Sequence, residues 1–352
     1  MSNRIFARSP YIITVNETGQ TSSKIEVFLW NGTGSAPASP TYTLSKAIPS
    51  VSAPSTYYDV SPYIREYINF NLRPVNYNGT GTALGSTAYC NVTIKRYKNT
   101  STLLDTTTYY AFDGYAEYSD GYNYDRGQYL LDEGTYYYHY DSDSTYITTK
   151  AGDLTLEVTA GQKAVYTDLV NGAVNTATFV SSGMKTSFRV YPTYWAHGNK
   201  LEIKTSADAV LRTYTFLPRE ECKYQALPID FVNKYGAWQR EFLFKASNDS
   251  FNMTNQEFNI MNASIVSFKE FEGQKKTFNA NGRDSIKCNT GWVAESFKDT
   301  IKEIMLSEKI ILNDLPVTIK TKQTELFKSI NTKNINYSLE FDYSFDTIMS
   351  II

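Results

Sequence analysis

Residues 335–345 alternate without a break. Ile335, Tyr337, Leu339, Phe341, Tyr343 and Phe345 fall on one side, and Asn336, Ser338, Glu340, Asp342 and Ser344 on the other. A period of two is the side-chain period of a β-strand, and no helix satisfies it. Upstream, "PVTIKTK" puts Val317 and Ile319 on one face and Lys320 and Lys322 on the other. Pairing strands 316–322 and 334–346 as a hairpin sets lysines against Glu340 and Asp342. Each such cross-strand pair contributes roughly 0.2–1 kcal/mol. An unpaired strand edge invites a further strand, so Glu340, Asp342, Lys320 and Lys322 form a candidate edge-strand contact with a neighbouring molecule.

The same chemistry runs through the chain. Aromatic residues make up 15% of it, led by 29 tyrosines, with abundant Thr, Asn and Ser. Tyr and Thr favour strands, and Asn, Gly and Ser favour turns. Strands are expected at 24–30, in "AYCNVTIKRYK" and "LLDTTTYYAF" as a hairpin about "NTST", and in "GDLTLEVTAG", where Leu154, Leu156 and Val158 share a face. "SFRVYP", "KLEIKTS" and "AVLRTYTFLP" follow, then a hairpin in "PIDFVNKYGAWQREFLFK" that turns at 233–236. Two helices are expected. Ser61 caps one over 62–69, with Pro62 in its first turn. The other spans 291–308, capped by Asn289 or Thr290, with Val293, Phe297, Ile301, Ile304 and Met305 on one face and Lys298, Lys302 and Glu303 off it.

The expected fold is therefore mainly β. Two immunoglobulin/fibronectin-like or barrel-like β domains, 1–160 and 161–250, precede a C-terminal α+β region, 251–352, built from the long helix and the hairpin. The first domain carries an insertion at about 111–147. From 109 to 146, twelve of 38 residues are Tyr, eight are Asp or Glu, and Arg126 is the one Lys or Arg. Half of these tyrosines are expected to pack inward. Tyr136, Tyr138 and Tyr140 share one strand face, Tyr137 and His139 the other. Tyrosine is enriched in interfaces, so Tyr115, Tyr118, Tyr122, Tyr124, Tyr137 and His139 form a candidate interaction surface.

Little points to catalysis. No phosphate-binding glycine loop, nucleophile elbow or H-E-x-x-H stretch occurs. The two histidines, His139 and His197, have no sequence neighbour that completes a catalytic pair, and His197 reads as an exposed loop residue. Cys90, Cys222 and Cys288 are far apart and read as buried thiols of a protein folded in a reducing cytosol. Asp120, Asp125, Asp141 and Asp143 offer oxygen ligands for calcium but miss the EF-hand spacing. No cofactor or metal is expected. Two carboxylates suffice for glycoside hydrolysis, and 36 Asp and Glu do not exclude it, but no long β-helix repeat supports it. A net charge of −2 gives no global attraction for nucleic acid, and no apolar run approaches the roughly 20 residues that cross a bilayer. The N-terminus lacks the apolar run of a secretion signal.

Several phrases are familiar together. "FARSPYIITV", "PTYTLSK" and "YYDVSPYIREYI" resemble the N-terminal region of virion structural proteins of tailed bacteriophages, of the kind found in Bacteroidetes-infecting and crAss-like phages. "PIDFVNKYGAWQREFLF" resembles a hairpin of the same proteins. "NTGWVAESFKDTIKEIMLSEKIIL" with "LPVTIKTKQTELFKSINTKNINYSLEFDYSFD" resembles their closing helix and hairpin. The resemblance covers about a third of the chain and leaves out the 111–147 insertion. It implies no activity and no catalytic residue. It implies synthesis in the host cytoplasm and assembly into the neck or tail as a homo-oligomeric ring beside other tail proteins, the portal or the tail hub. A receptor- or glycan-binding tail protein using the tyrosine-rich insertion is the second expectation, and a polysaccharide-degrading tail enzyme the third.

Overall fold

The structure is a computed structural model that describes residues 3–48, 50, 54–68, 73, 79–85, 87–141, 151–220, 223–260, 273–326 and 335–349. It is mainly β, with two α-helices among the described residues and no closed barrel. The chain divides into two compact units, 1–220 with 230–241, and 221–229 with 242–352.

The first unit opens with a five-stranded sheet. Its order is β1 (Asn3–Phe6), β7 (Thr102–Phe112), β6 (Cys90–Lys98), β3 (Ser22–Asn31) and β4 (Tyr42–Ala47). β6 and β7 form the expected hairpin. A two-stranded ribbon, β2 (Ile12–Val15) with β5 (Thr56–Asp59), and helix α1 (Ser61–Tyr67) supply the opposing layer. Ile25, Val27 and Leu29 of β3 meet Val92 and Ile94 of β6, Val15 of β2 and Ile64 of α1 in one core. At α1, Ser61 lies inside the helix and does not cap it. The N-cap is Val60, with no side-chain cap, and Asp59 holds the entry to the helix: its Oδ1 accepts the Ser61 N–H at 3.0 Å and the Tyr11 N–H at 3.1 Å.

A second five-stranded sheet follows in the same unit. Its order is β11 (Val174–Thr178), β10 (Lys163–Asp168), β13 (Asn199–Lys204), β14 (Val210–Arg219) and β8 (Gly134–His139). β9 (Asp153–Val158) pairs with β12 (Gly183–Phe188). Leu154, Leu156 and Val158 are all buried, as their alternation requires. The buried Tyr166 hydroxyl of β10 meets Ser187 Oγ of β12 at 2.8 Å, which links the two sheets. The expected boundary near residue 160 does not exist. β8 pairs in parallel with β14, Gly134 opposite Tyr214 through His139 opposite Arg219. Strand pairing across residue 160 makes 1–160 and 161–220 one unit. Within the 111–147 segment, β8 accordingly belongs to a sheet of this unit, and residues 142–147 lie outside the described residues.

The "PIDFVNKYGAWQREFLF" hairpin is present as β15 (Leu227–Val232) and β16 (Trp238–Leu243). Its turn is closed by the Gly236 N–H on Asn233 O at 2.8 Å. The hairpin carries buried polar groups that hydrophobic patterning does not foretell. Arg240 clamps Asp230 with two bonds of 2.7 Å, and Arg73 adds a third at 3.0 Å. Arg189 lies 3.6 Å from Glu241, which also accepts from Gln239 at 2.9 Å. Asn233 bonds both Gln239 and the Leu130 carbonyl. Removing one partner of such a set strands a buried polar group, which costs about 1–3 kcal/mol.

The second unit is built on a sheet of order β19 (Ile310–Leu312), β20 (Leu315–Ile319), β21 (Ser338–Tyr343), β18 (Lys275–Asn289) and β17 (Asn248–Asn259). β20 and β21 pair as expected. Ile335, Tyr337, Leu339 and Phe341 are buried, while Phe345 is exposed. Helix α2 (Phe297–Leu306) is shorter than the expected 291–308. Gly291 sits at a φ of +68°, outside helical space, and the Val293 N–H donates to Ile335 O at 2.8 Å. Residues 290–293 therefore extend alongside the incoming β21 segment. Neither Asn289 nor Thr290 caps the helix, whose N-cap is Ser296. Glu303, expected off the apolar face, is buried with Ile301 and Ile304.

Burial pushes the Glu241 carboxyl up to about 7, against the downward pull of Arg189 and Gln239. The folded chain then holds a proton that the unfolded chain releases near its ordinary 4.5. Stability from this group is present below that value, declines as pH rises to about 7, and is flat above. Glu241→Gln removes the decline. Urea unfolding at a series of pH values is expected to shift in the variant's favour, relative to the parent, by about 1–3 kcal/mol between about pH 5 and about pH 8. Parallel pH profiles for the two proteins would refute the assignment.

Candidate interaction surfaces

The tyrosine-rich loop is held rigidly against β1 and the residues after it. Gly236 has a φ of +79°, and a Cβ there would lie 2.5 Å from the Gly114 nitrogen. The Tyr115 N–H donates to Lys234 O at 2.8 Å across this contact. Two glycines thus let the hairpin turn and the loop touch backbone to backbone. Ser9 Oγ accepts the Ala116 N–H at 2.8 Å. Asn123, itself at a φ of +57°, mimics a strand: its side chain takes the Ile12 N–H at 2.5 Å and donates to Ile12 O at 2.8 Å. Arg4, 4% exposed, pairs with Asp125 at 2.9 Å and with Glu157. Arg126 pairs with Asp120 at 2.8 Å.

These contacts sort the candidate residues. Tyr118 is wholly exposed and Tyr122 is 70% exposed. Tyr124 is at the edge of exposure and lies under the Arg126 guanidinium at 5.0 Å. Tyr115 is half-buried beneath Arg8 at 5.3 Å. On β8, Tyr136 and Tyr138 are buried, while Tyr137 and His139 are half-buried on the other face. Arg219 covers Tyr137 at 4.1 Å, so Tyr137 is engaged within the fold. The outward pair is Tyr118 and Tyr122. Asp120 and Asp125 are engaged by arginines, which argues against their use as calcium ligands, and Asp143 lies outside the described residues. Among the described residues no group of three or more His, Cys, Asp or Glu is arranged to hold a metal ion.

His197 is not a solitary loop residue. Its Nδ1 lies 2.9 Å from the buried Asp168, which also accepts the N–H groups of Val170 and Asn171. Desolvation pushes the Asp168 carboxyl up, but the His197 and backbone bonds outweigh it and hold the group below its ordinary value. The pair pins a turn. Burial pushes the Cys90 and Cys288 thiols up to about 12, which keeps them protonated and unreactive, and Cys222 lies outside the described residues.

The C-terminal contact resolves differently from its expectation. Lys320 pairs with Glu340 at 2.6 Å and approaches Asp342 at 3.9 Å, so the charge complement is internal. Lys322 lies past the end of β20, exposed. β21 has β20 on one side and β18 on the other, so Glu340 and Asp342 do not sit on a free edge. β17 lies at one edge of this sheet, with β18 as its one strand partner among the described residues.

β17 and β18 form a highly exposed ribbon that hydrophobic patterning does not foretell. All twelve β17 residues are exposed. β21 supports β18 from Ser285 to Asn289, and residues 346–348 reach Asn281 to Arg283, with the Thr347 N–H on Gly282 O at 2.7 Å; from Lys275 to Ala280, β18 pairs with β17 alone among the described residues. Phe251, Met253, Phe258 and Phe278 are between 42% and 63% exposed. Phe258 and Phe278 meet edge to face at 5.4 Å, and the Phe251 ring lies over Gly282, where a Cβ would fall 2.1 Å from it. "NDSFNMTNQEFN" is rich in Asn and lacks alternation, so β-propensity does not mark it. The usable signal was isolated large apolar residues in a polar run.

Compared with known proteins, the sequence matches no protein family and no curated protein. Among the described residues no helix is long and apolar enough to cross a membrane.

Asn123→Ala removes both bonds to Ile12 and places alanine at a left-handed φ. Hydrogen exchange over 115–127 is expected to rise about tenfold or more while the β6–β7 hairpin stays protected. Unchanged exchange in that loop would show that Asn123 does not hold it.

Proposed function

We propose that this chain is a non-enzymatic structural component of a tailed-phage virion, oligomerising, as a ring, in the neck or tail and contacting neighbouring tail proteins. The observation that carries the reading is the β17–β18 ribbon, which presents four large apolar side chains on an element with little support of its own. Several large apolar side chains exposed on one ribbon, two of them packed ring against ring, suit contacts with other macromolecules. The phrase-level resemblance to phage virion proteins supports the same reading, as does the spread of buried charge networks through the first unit, which suits a rigid building block.

A second reading is favoured by one specific observation. Tyr118 and Tyr122 project from a loop fixed by Asn123, Arg4 and Arg126, a pre-organised aromatic platform of the kind that stacks on sugar rings. In that reading the loop recognises a host glycan.

An antibody to the purified chain separates these from an unrelated role. Immunogold labelling is expected to mark virions at the neck or tail. Particles that carry no label, alongside label on free protein in the same lysate, would refute the structural reading. A Tyr118→Ala, Tyr122→Ala phage that adsorbs normally would refute the glycan reading.

A further inference from the structure

We infer that the β17–β18 ribbon is an assembly arm, and that a second copy of this chain covers it, seating the arm's distal half against its acidic tyrosine loop, 117–133. This deepens the structural-component reading and rests on it.

The arm does not account for its own stability. A two-stranded ribbon standing alone in water is marginal. Its outer strand offers a row of backbone N–H and C=O groups to solvent. Natural edge strands guard such rows with lysine, proline, inward charge or bulges. β17 has no Lys and no Pro, only Asp249 and Glu257 as charges, and a single irregularity between Thr254 and Gln256. One face of a ribbon this long, twelve residues at about 3.3 Å and two strands wide, covers roughly 400 Å².

Charge selects the occupant. The distal part of β18 carries Lys275 and Lys276 against the one acid opposite, Glu257 of β17, which Lys275 meets at 3.8 Å, while Arg283 nearer the sheet pairs with Asp346. Within the loop 117–133, Asp120 pairs with Arg126, Asp125 with Arg4 and Asp132 with Lys234, which leaves the exposed Glu117 and Glu133 as its outward acids beside Tyr118 and Tyr122. A basic arm with exposed phenylalanines and an acidic loop with exposed tyrosines complement each other in both charge and apolar surface. One chain bears both, so a second copy supplies the missing half. Joining two different surfaces is a heterologous contact, which closes into a ring when its rotation permits.

The test uses the full chain, with mass from light scattering and native mass spectrometry at up to about 100 μM. The parent is expected to assemble. Phe258→Asp with Phe278→Asp, at exposed positions, is expected to be monomeric. So is a chain with 254–281 replaced by Asn-Gly, with far-ultraviolet circular dichroism confirming that both variants fold. Lys275→Glu with Lys276→Glu is expected to weaken assembly about tenfold or more, and mixing it with Glu117→Lys, Glu133→Lys chains is expected to restore it. An assembled parent with equally assembled arm variants would overturn the arm while leaving the structural reading standing. Charge variants that fail to compensate would overturn the loop as its seat. A parent that stays monomeric would overturn self-association, and virion labelling would then decide the structural reading by itself.

Discussion

Every strand in this chain must find partners for its backbone N–H and C=O groups, and the architecture follows from where those partners are found. In the first unit β8 finds them in β14, across more than seventy residues of intervening chain. That single pairing merges what patterning divides into two domains. In the second unit β21 is satisfied on both sides, by β20 and β18, which places the most strongly alternating strand at the centre of its sheet. Among the described residues β17 is an edge of this sheet, twelve residues long and wholly exposed. The proposed contact sits where the accounting of backbone groups is incomplete.

The tyrosine-rich loop illustrates how a polar segment is made rigid without a core of its own. Two glycines permit a backbone contact that any Cβ would block. An asparagine side chain bonds Ile12 as a neighbouring strand would. Two arginines neutralise the acids that would otherwise repel one another. The result fixes the positions of Tyr118 and Tyr122 at little entropic cost on binding, which suits either a subunit contact or a glycan platform. The same arginines engage Asp120 and Asp125, so the feature that most resembled a calcium site has become part of the scaffold.

The buried charges of the β15–β16 hairpin have a related role. Asp230 with Arg240 and Arg73, and Glu241 with Arg189 and Gln239, fix one register and one orientation for a turn that touches the tyrosine loop through Tyr115 and Lys234. A purely apolar contact would leave more freedom of sliding. Rigidity at this turn therefore passes directly to the surface that carries the exposed tyrosines.

The sequence by itself determined the class of fold and the placement of its strongest elements. Period-two alternation at 335–341 and 154–158 predicted which side chains are buried, because alternation is a local consequence of the pleat. Local pattern also marked both helices, though not their ends: Gly291 and the Val293 bond to Ile335 shorten one, and Val60 rather than Ser61 is the N-cap of the other. Tertiary structure decided the rest. Which strands are neighbours, that β21 is central and β17 an edge, that Glu303 and Glu241 are buried, and that Tyr137 is covered by Arg219 while Tyr118 is not, all depend on contacts between residues far apart in the chain. Hydrophobic period carries no information about which distant partner an element will meet, and polar residues such as those of β17 give almost no period to read.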